Sequence, residues 1–259
     1  MSYMGIDVGA TKIAWVIINA RGKIVSKAKL KTPKNKHDFI AILKSIAKLA
    51  KRKKVRAVCL AIPGVVRKSV VIKAPNLPCI EGLNLKQAMK LEKVIVENDA
   101  NAFAYGEAKI NRYANLVALT LGSGLGGGII INGKLYRGRG SAGEIGHVCL
   151  KLKGRLCACG AHGCAEAYLA RKGFLYESRK LLGKALEPAE LAKLARKGDK
   201  KALLVFHRIA GYLGVFLASL ANVFDPEAIA IGGGIARASD LFLAQAKRVM
   251  KRYCLASPP

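Results

Sequence analysis

The sequence predicts an α/β fold made of two related lobes. Short apolar strands bounded by glycine turns alternate with amphipathic helical patterns along the chain, as they do in α/β proteins. The opening order of strand, glycine turn and strand, over residues 3–19, returns over residues 116–132 as a weak internal repeat. We therefore expect a first lobe at residues 1–113 and a second lobe at residues 114–259.

The first lobe is expected to contain one long helix among several strands. Phe39, Leu43 and Ile46 recur at helical spacing with lysines on the opposite face, which predicts a helix from Asp38 to about Lys53. A shorter helix is expected at Ala100–Ala108. Apolar runs predict strands at Tyr3–Val8, Ile13–Asn19, Lys23–Leu30, Val55–Ile62 and Val94–Glu97.

The second lobe is expected to begin with a hairpin and to continue mainly as helices. The segment Gly122–Gly128 is predicted to form a glycine turn between strands at Leu116–Leu121 and Ile129–Asn132. A later strand, Ala228–Ile231, precedes the turn Gly232–Gly234. Helical patterns are found at about 166–182, 188–197, 200–222 and 239–252.

The composition excludes several classes of protein. Hydrophobic residues make up 52% of the 259 residues, which is too apolar for a disordered basic tail. No run of 18 uninterrupted apolar residues predicts a membrane span, and the N-terminus lacks the basic segment of a signal peptide. Seven cysteines in such a chain fit the reducing cytoplasm, where clustered thiols bind metals more often than they form disulfides.

The chain is strongly basic, with 45 Lys and Arg against 16 Asp and Glu and a net charge of +29. Such a charge fits binding of nucleic acid, anionic lipid or small polyanions such as nucleotides. Between Arg21 and Arg56 there are 14 basic residues and one acid, and a second basic cluster lies near residues 247–252. Because these clusters lie outside the motifs described below, we interpret the charge mainly as a surface property and expect no specific nucleic-acid binding.

The segment Gly5–Lys12 is a candidate phosphate-binding loop. It places Asp7 at the end of a buried strand, just before a turn of small residues that contains Gly9 and Thr11. Backbone N–H groups and a hydroxyl in such a turn can hold phosphate oxygens, while the carboxylate orients a hydrated Mg²⁺. An ordinary hairpin has the same local pattern, so the segment alone does not decide between the two.

Two later glycine turns are candidates for the rest of a nucleotide site. Gly122, Gly124 and Gly127 match the spacing of a dinucleotide fingerprint, but the turn leads into a strand, whereas that fingerprint opens a helix. A hairpin with bare backbone still permits close approach of phosphates. Gly232–Gly234 passes from strand to helix and could hold a ribose and base edge. Tight packing is the alternative explanation of each turn.

Asp99 is a candidate general base. It follows the strand Val94–Glu97 and opens a helix, so its carboxylate can face a cleft and accept a proton from an alcohol. The alternative is a helix N-cap, for which Asp is equally suited.

The cysteine-rich segment Cys157–Glu166 is the strongest local signal. Cys157, Cys159 and Cys164 lie within eight residues, and His147 precedes them by ten, which matches a tetrahedral zinc site with three thiolates and one imidazole. His162, inside the loop, is the competing fourth ligand. We prefer His147 because His162 lies between the cysteines on a very tight loop, and we expect a structural zinc because four protein ligands leave no open position.

Together these residues resemble the ROK family of sugar kinases, within the superfamily of actin-like, ribonuclease H-like enzymes whose two lobes enclose an ATP cleft. The resemblance covers nearly the whole chain. Its most specific part runs from Leu119 to His147, where Gly143-Glu144-Ile145-Gly146-His147 precedes the pattern C-x-C-G-x-x-G-C-x-E.

The resemblance implies a role for each motif. Asp99 would take the proton from the 6-hydroxyl of a hexose. Other positions would hold the remaining sugar hydroxyls, namely Gly64, Asn76, Asn98, Glu144, His147 and Glu166. Three sets would bind ATP with Mg²⁺, namely Asp7, Gly9, Thr11 and Lys12, then Gly122, Ser123 and Gly124, then Gly232, Gly233 and Gly234. The zinc ligands would be His147, Cys157, Cys159 and Cys164, and a homodimer is the family expectation.

The sequence departs from the family at its C-terminal end. Family members usually continue with another strand and a last helix, whereas here the segment Cys254–Pro259 follows the predicted helix at 239–252. We therefore expect a second lobe that is short at its C-terminus, with sugar binding better preserved than catalysis. A catalytically impaired sugar-binding or regulatory protein is the corresponding alternative.

The resemblance leaves the substrate open. Glucose and the N-acetylhexosamines use the same ring of hydroxyls, and the stretch Pro75-Asn76-Leu77-Pro78 slightly favours glucose. The phosphoryl donor could be ATP, another nucleotide or polyphosphate. DNA-binding relatives carry a helix-turn-helix before the kinase-like core, and the segment preceding Asp7 is too short for one.

Overall fold

The computed structural model describes residues 1–256 and 258–259, and the chain divides into two compact units, Met1–Ala102 and Phe103–Pro259. The division lies within one helix, α3 (Asp99–Asn111). Each unit contains its own sheet and its own apolar core, which confirms the α/β class. The expected lobes at 1–113 and 114–259 stay a prediction.

The first unit is built on a five-stranded sheet. Its strands are β1 (Ser2–Val8), β2 (Lys12–Asn19), β3 (Ile24–Lys31), β4 (Val55–Ile62) and β7 (Val94–Asn98). Their order is β3-β2-β1-β4-β7, in which β1, β4 and β7 are parallel while β2 and β3 run antiparallel. The carboxyl ends of the three parallel strands therefore share one edge of the sheet, and Asp7 and Asn98 both lie at that edge.

Helix α1 (Lys36–Arg52) supplies much of the core of the first unit. Its apolar face buries Phe39, Leu43 and Ile46 with the sheet residues, and each such side chain contributes roughly 1.5–3 kcal/mol when fully buried. The helix begins two residues before the predicted Asp38 because the Asn35 side chain accepts the Asp38 N–H at 2.8 Å and caps it.

The sequence did not predict a small hairpin, β5 (Val65–Arg67) and β6 (Val70–Lys73), or the short helix α2 (Leu85–Met89). The hairpin turn holds Lys68 and Ser69 at φ angles of 48° and 68°. Two-residue hairpin turns usually contain Asn or Gly, and the absence of these residues here explains why the sequence did not predict a hairpin.

The second unit contains a four-stranded sheet and most of the helices. The sheet order is β10-β9-β8-β11, formed by β8 (Leu116–Leu121), β9 (Leu125–Ile131), β10 (Lys134–Leu135) and β11 (Ala228–Gly232). The strands β8 and β9 are antiparallel, whereas β8 and β11 are parallel. The helices are α4 (Glu166–Leu169), α5 (Arg171–Leu182), α6 (Pro188–Arg196), α7 (Lys200–Phe224) and α8 (Leu243–Tyr253).

The glycine turn of the second unit is shorter than predicted. Strand β9 already begins at Leu125, and the three glycines that follow pair with β8. Glycine is needed within this strand because a Cβ on Gly127 would lie 2.3 Å from Ile145 Cγ1 and 2.6 Å from the Gly143 carbonyl oxygen. The turn itself is confined to Gly122–Gly124.

Two predicted helices of the second unit have different bounds. The pattern at 166–182 is interrupted at Ala170, whose ψ of −178° separates α4 from α5. The last helix, α8, starts at Leu243 after a 3₁₀ segment at Ile235–Leu241, whereas the sequence predicted a start near residue 239.

Helix α7 is long and apolar enough to cross a membrane by length and composition. It packs as the central helix of the second core, where it buries residues such as Val205, Phe206, Ile209, Leu213 and Phe216. Its apolar character is therefore explained by its position in that core.

Candidate active site

The loop between β1 and β2 is held by hydrogen bonds from the segment after β3. The Thr32 hydroxyl donates to the Gly9 carbonyl oxygen at 2.7 Å, and the Thr32 N–H donates to the Thr11 carbonyl oxygen at 3.1 Å. Lys34 Nζ donates to the Ala10 carbonyl oxygen at 2.7 Å. Three consecutive carbonyl groups thus face the segment at 32–34, and the side chains of Thr11 and Lys12 are exposed. The sequence motif did not indicate Thr32 and Lys34, because they lie 23 and 24 residues beyond the carbonyl groups that their side chains contact.

Asp7 is the acid of this loop. Surrounding protein raises the pKa of its carboxyl, and the neighbouring Lys12 ammonium opposes that shift. A cation bound beside this carboxyl would lower its pKa, because it stabilises the charged form.

Gly64 and Asn98 are brought together at the carboxyl edge of the first sheet. The Asn98 side-chain amide donates to the Gly64 carbonyl oxygen at 3.0 Å. Gly64 has a φ of +127°, and a Cβ there would lie 2.1 Å from the Lys73 carbonyl oxygen, so no other residue fits. Asn76 lies on the exposed turn that follows β6.

Asp99 begins α3 but does not cap it. The Asn98 Oδ1 accepts the Asn101 N–H at 3.1 Å, so the N-cap bond comes from the neighbouring residue. Asp99 Oδ1 accepts the Ala100 N–H at 2.9 Å. The Asn101 N–H is therefore capped by Asn98, and the role of Asp99 as a general base stays a prediction.

Two neighbours of Asp99 complete this part of the site. Glu97 Oε1 accepts from the Asn98 N–H and from the Asn101 side-chain amide, both at 3.0 Å. Asn101 Oδ1 is buried without a hydrogen-bond partner among the described residues. Both residues lie within two positions of Asp99 in the sequence, but the sequence analysis did not identify them as candidate site residues.

In the second unit, Glu166 joins the glycine turn to the cysteine loop. Its Oε2 accepts the Leu125 N–H at 3.0 Å, and a Cβ on Gly124 would lie 2.5 Å from the same oxygen. Its Oε1 lies 3.6 Å from Cys157 Sγ. One carboxylate thus contacts both motifs, which lie more than 30 residues apart in sequence.

A pocket of about 480 Å³ brings two of the predicted ATP motifs together, since Gly122 and Gly234 both line it. Gly233 lies between the end of β11 and Gly234. It has a φ of +91°, and a Cβ there would lie 2.3 Å from the Leu121 carbonyl oxygen, so this position requires glycine. The Gly122 carbonyl oxygen also accepts the Arg171 N–H at 3.0 Å.

The rest of this pocket comes from residues that the motifs did not indicate. Arg171 Nε donates to Glu187 Oε2 at 2.7 Å, and Arg196 Nη2 donates to Asp240 Oδ1 at 2.7 Å. The charged side chains that line it are Arg171, Glu187, Lys193, Arg196 and Arg237. Since Arg171 and Arg196 are paired with Glu187 and Asp240, Lys193 and Arg237 leave the pocket with a net positive charge that favours an anion. No local pattern marks them because α5, α6 and the segment after β11 meet only in the folded unit.

The four predicted zinc ligands lie together, with one donor atom from each within 4.8 Å of the others. Cys157 Sγ is 3.8 Å from His147 Nδ1, and Cys159 Sγ is 3.7 Å from Cys164 Sγ. Zinc–sulfur bonds of about 2.3 Å in a tetrahedron give sulfur–sulfur distances of about 3.8 Å, which is close to the separation of Cys159 and Cys164. His162, the competing ligand, lies on the same loop but outside this cluster of donors.

The thiols of this cluster differ in acidity. Burial raises the pKa of Cys157 to about 12 and also raises the pKa of Cys164, whereas the Ala161 N–H lowers the pKa of Cys159. A bound cation displaces the thiol protons, so its affinity falls as the pH falls.

Glu144 and His147 lie on one short 3₁₀ turn. His147 Nε2 is 4.0 Å from Glu144 Oε2, while Nδ1 of the same ring faces the cysteines. A metal on Nδ1 would leave Nε2 protonated and directed away from the cluster. Both side chains are exposed and could contact a polar ligand.

Comparison with known proteins places these motifs in a family. The family model described as the ROK family matches residues 3–259. A glucokinase of Streptomyces coelicolor is 33% identical over 279 residues, covering 96% of this chain and 87% of the relative. An N-acetyl-D-glucosamine kinase of Shigella boydii is 31% identical, covering 90% of this chain and 84% of the relative.

A solved structure extends the similarity to the fold. The ROK family glucokinase of Streptomyces griseus, in complex with glucose and AMPPNP, is 34% identical with a TM-score of 0.83, covering 99% of this chain and 91% of that one. The sequence motifs, the fold of both units and these relatives agree, and the chain belongs to the ROK family.

Proposed function

We propose that this protein is a hexose kinase that transfers the γ-phosphoryl group of ATP to the 6-hydroxyl of glucose. The sugar kinase assignment rests on the family and on glucokinase relatives that match over nearly the whole chain. The observation that carries the proposal is the carboxylate of Asp99 at the edge of the first sheet, directly after the Asn98 side chain that is bonded to Gly64.

In this proposal Asp99 accepts the proton of the 6-hydroxyl as that oxygen attacks phosphorus. Phosphoryl transfer passes through a loose transition state, so little deprotonation is needed before the new bond forms. Positioning and backbone N–H donors then supply most of the rate. The other hydroxyls must stay paired when the sugar loses its water. The side chains of Asn76, Asn98, Glu144, His147 and Glu166 would hold them, and the backbone of Gly64 would line the same pocket.

We assign ATP to the glycine loops. In the first unit Gly9, Thr11 and Lys12 would face its phosphates, and Asp7 would orient a Mg²⁺ ion bound to them. In the second unit the turn Gly122–Gly124, with Ser123 at its tip, would hold phosphate, while Gly232–Gly234 would line the adenosine. The shared pocket of Gly122 and Gly234 supports this assignment.

We also propose a structural zinc ion in the cluster of His147 and three cysteines, because the donor distances suit that ion. Zinc would fix the cysteine loop and hence the ring of His147 and the carboxylate of Glu166. We further place the enzyme in the cytoplasm, as a homodimer without a specific nucleic-acid partner.

A second candidate substrate is an N-acetylhexosamine, favoured by the relative that is named an N-acetyl-D-glucosamine kinase. An impaired or regulatory protein is a candidate of another class. A coupled assay of ADP formation with Mg-ATP and a sugar panel separates these possibilities. We expect the highest kcat/KM with glucose. A higher kcat/KM with N-acetylglucosamine would select the second substrate, and sugar binding without turnover would select the impaired protein.

A further inference from the structure

A groove of about 920 Å³ lies in the second unit, apart from the glycine turns. It is formed by the loop Lys151–Arg155, by α5, and by the facing sides of α7 and α8. Its volume is within the range of pockets that bind small organic ligands. None of the residues assigned above to sugar, ATP or zinc lines it.

The groove is strongly cationic. Its lining contains five basic side chains and one acid, which leaves four positive charges, namely Lys151, Lys153, Arg155, Lys180 and Arg208 against Glu177. The acid is only 4% exposed and bonds both arginines, with Arg208 Nη1 at 3.0 Å from its Oε2. Glu177 therefore fixes the two guanidinium groups and does not extend into the groove as a repelling charge.

The groove is also built from fixed backbone and aromatic side chains. The Arg155 N–H donates to the Tyr168 hydroxyl at 2.9 Å, and the Arg155 guanidinium lies 3.9 Å from the ring of Tyr176 and 4.5 Å from the ring of Tyr168. A Cβ on Gly154 would lie 2.1 Å from that hydroxyl, so the loop is closely packed on it. Lys153, in the same loop, holds a φ of +55°, which a lysine rarely adopts.

The aromatic residues are not all buried. Tyr176 is 50% exposed and Tyr253 is 59% exposed, and both line the groove. Tyrosine rings stack on flat or ring-shaped ligands, while lysine and arginine donors recognise phosphate oxygens. Aromatic rings and basic side chains therefore line the same groove.

We propose that this groove binds the phosphate ester of a ring compound, a sugar phosphate or a nucleotide, as a second ligand site of the protein. Lys153, Lys180 and Arg208 would contact the phosphate, and Tyr176 would stack on the ring. The proposal does not depend on the kinase function, because the groove shares no residue with the site assigned to it.

The test is calorimetric titration of the full chain with glucose 6-phosphate, AMP and inorganic phosphate as separate probes. Saturating glucose is present to fill the sugar part of the proposed kinase site, and AMPPNP is left out because, as a nucleotide, it would compete for the groove. A separate titration of AMPPNP shows whether the kinase site works. We expect one remaining site, for an ester, whose Kd rises at least tenfold in the double variant Lys153→Gln/Lys180→Gln. The matched control Lys184→Gln/Lys197→Gln removes two exposed lysines of the same unit outside the groove and should change Kd less than twofold.

The ring contact has its own control. Tyr176→Ala should weaken the ester at least fivefold and leave inorganic phosphate unchanged. The proposal is overturned if no probe binds, if both lysine pairs weaken binding equally, or if Tyr176→Ala has no effect. It is also overturned if the groove variant changes only the sedimentation of the protein, because a second copy of the chain would then cover the groove. Thermal melting confirms that each variant is folded.

Discussion

Gly64 has no space for a side chain, and this has a measurable consequence. A Cβ at this position would lie 2.1 Å from the Lys73 carbonyl oxygen, and its carbonyl group accepts the Asn98 amide. We expect Gly64→Ala to lower the free energy of unfolding by at least about 2 kcal/mol and to weaken sugar binding. Urea unfolding and glucose titration measure the two effects.

Gly82→Ala is the matched control. Gly82 also has a positive φ, +76°, but a Cβ there meets nothing within 4 Å. Its substitution should therefore cost about 1 kcal/mol from backbone strain alone, with sugar binding unchanged. If the two variants lost equal stability, the close contact at Gly64 would not be the cause.

Asp7 should make the protein less stable as the pH rises. Because burial raises the pKa of Asp7 in the folded state, the native protein binds more protons than the unfolded chain between the unfolded and folded pKa values. Stability therefore decreases as the pH rises through that window and stays lower above it. We expect Asp7→Asn to gain stability over the parent as the pH rises from 4 to 7, and to lose Mg-ATP binding. Unfolding at several pH values tests this, and a variant that is less stable at pH 7 would contradict it.

At the scale of elements, the start of α4 is joined to the β8–β9 turn through Glu166. Removing the side chain leaves the Leu125 N–H without its acceptor and opens space at Gly124. We expect Glu166→Ala to lower the free energy of unfolding by about 1–3 kcal/mol and to speed hydrogen exchange of the Leu125 amide. Glu166→Gln keeps an acceptor oxygen and should change that exchange little. Equal exchange in both variants would show that this bond does not hold the turn.

The cysteine loop is expected to depend on His147 and not on His162. His147 Nδ1 lies within the cluster of donor atoms, so His147→Asn should lose bound zinc and melt at a lower temperature. The variant His162→Asn, in the same loop, should keep its bound zinc and its melting temperature. Elemental analysis and thermal melting measure these outcomes. Loss of zinc from the His162 variant instead would reverse the ligand assignment.

For the whole molecule, the charge of +29 acts as a field around the sites. Non-specific binding to a DNA duplex, if it occurs, should fall steeply between about 50 and 200 mM salt, because it depends on release of counterions. Sugar binding, which uses neutral hydroxyls, should change little over the same range. Parallel titrations at the two salt concentrations test this, and salt-resistant DNA binding would contradict the interpretation of the charge as a surface property.

Much of this fold was predictable because its local signals are strong. The helix at 36–52 follows from its apolar spacing, and the cluster of four candidate metal ligands follows from cysteine spacing together with the preceding histidine. The hairpin at 65–73 was missed since its turn lacks glycine. Arg171 and Arg196 were missed because only tertiary packing brings them to the pocket beside Gly122 and Gly234. Local sequence patterns thus predict helices, strands and closely spaced ligands. They do not predict a pocket whose residues come from distant segments of the chain.

The central claim, that Asp99 is the base of a hexose kinase, is tested most directly by the initial rate of glucose-dependent ADP formation in Asp99→Asn and in the parent protein. Asparagine has the same shape but cannot accept the proton. We expect kcat to fall by about two to four orders of magnitude, while the Kd for glucose changes only a fewfold. An unchanged kcat in the variant would contradict the assignment.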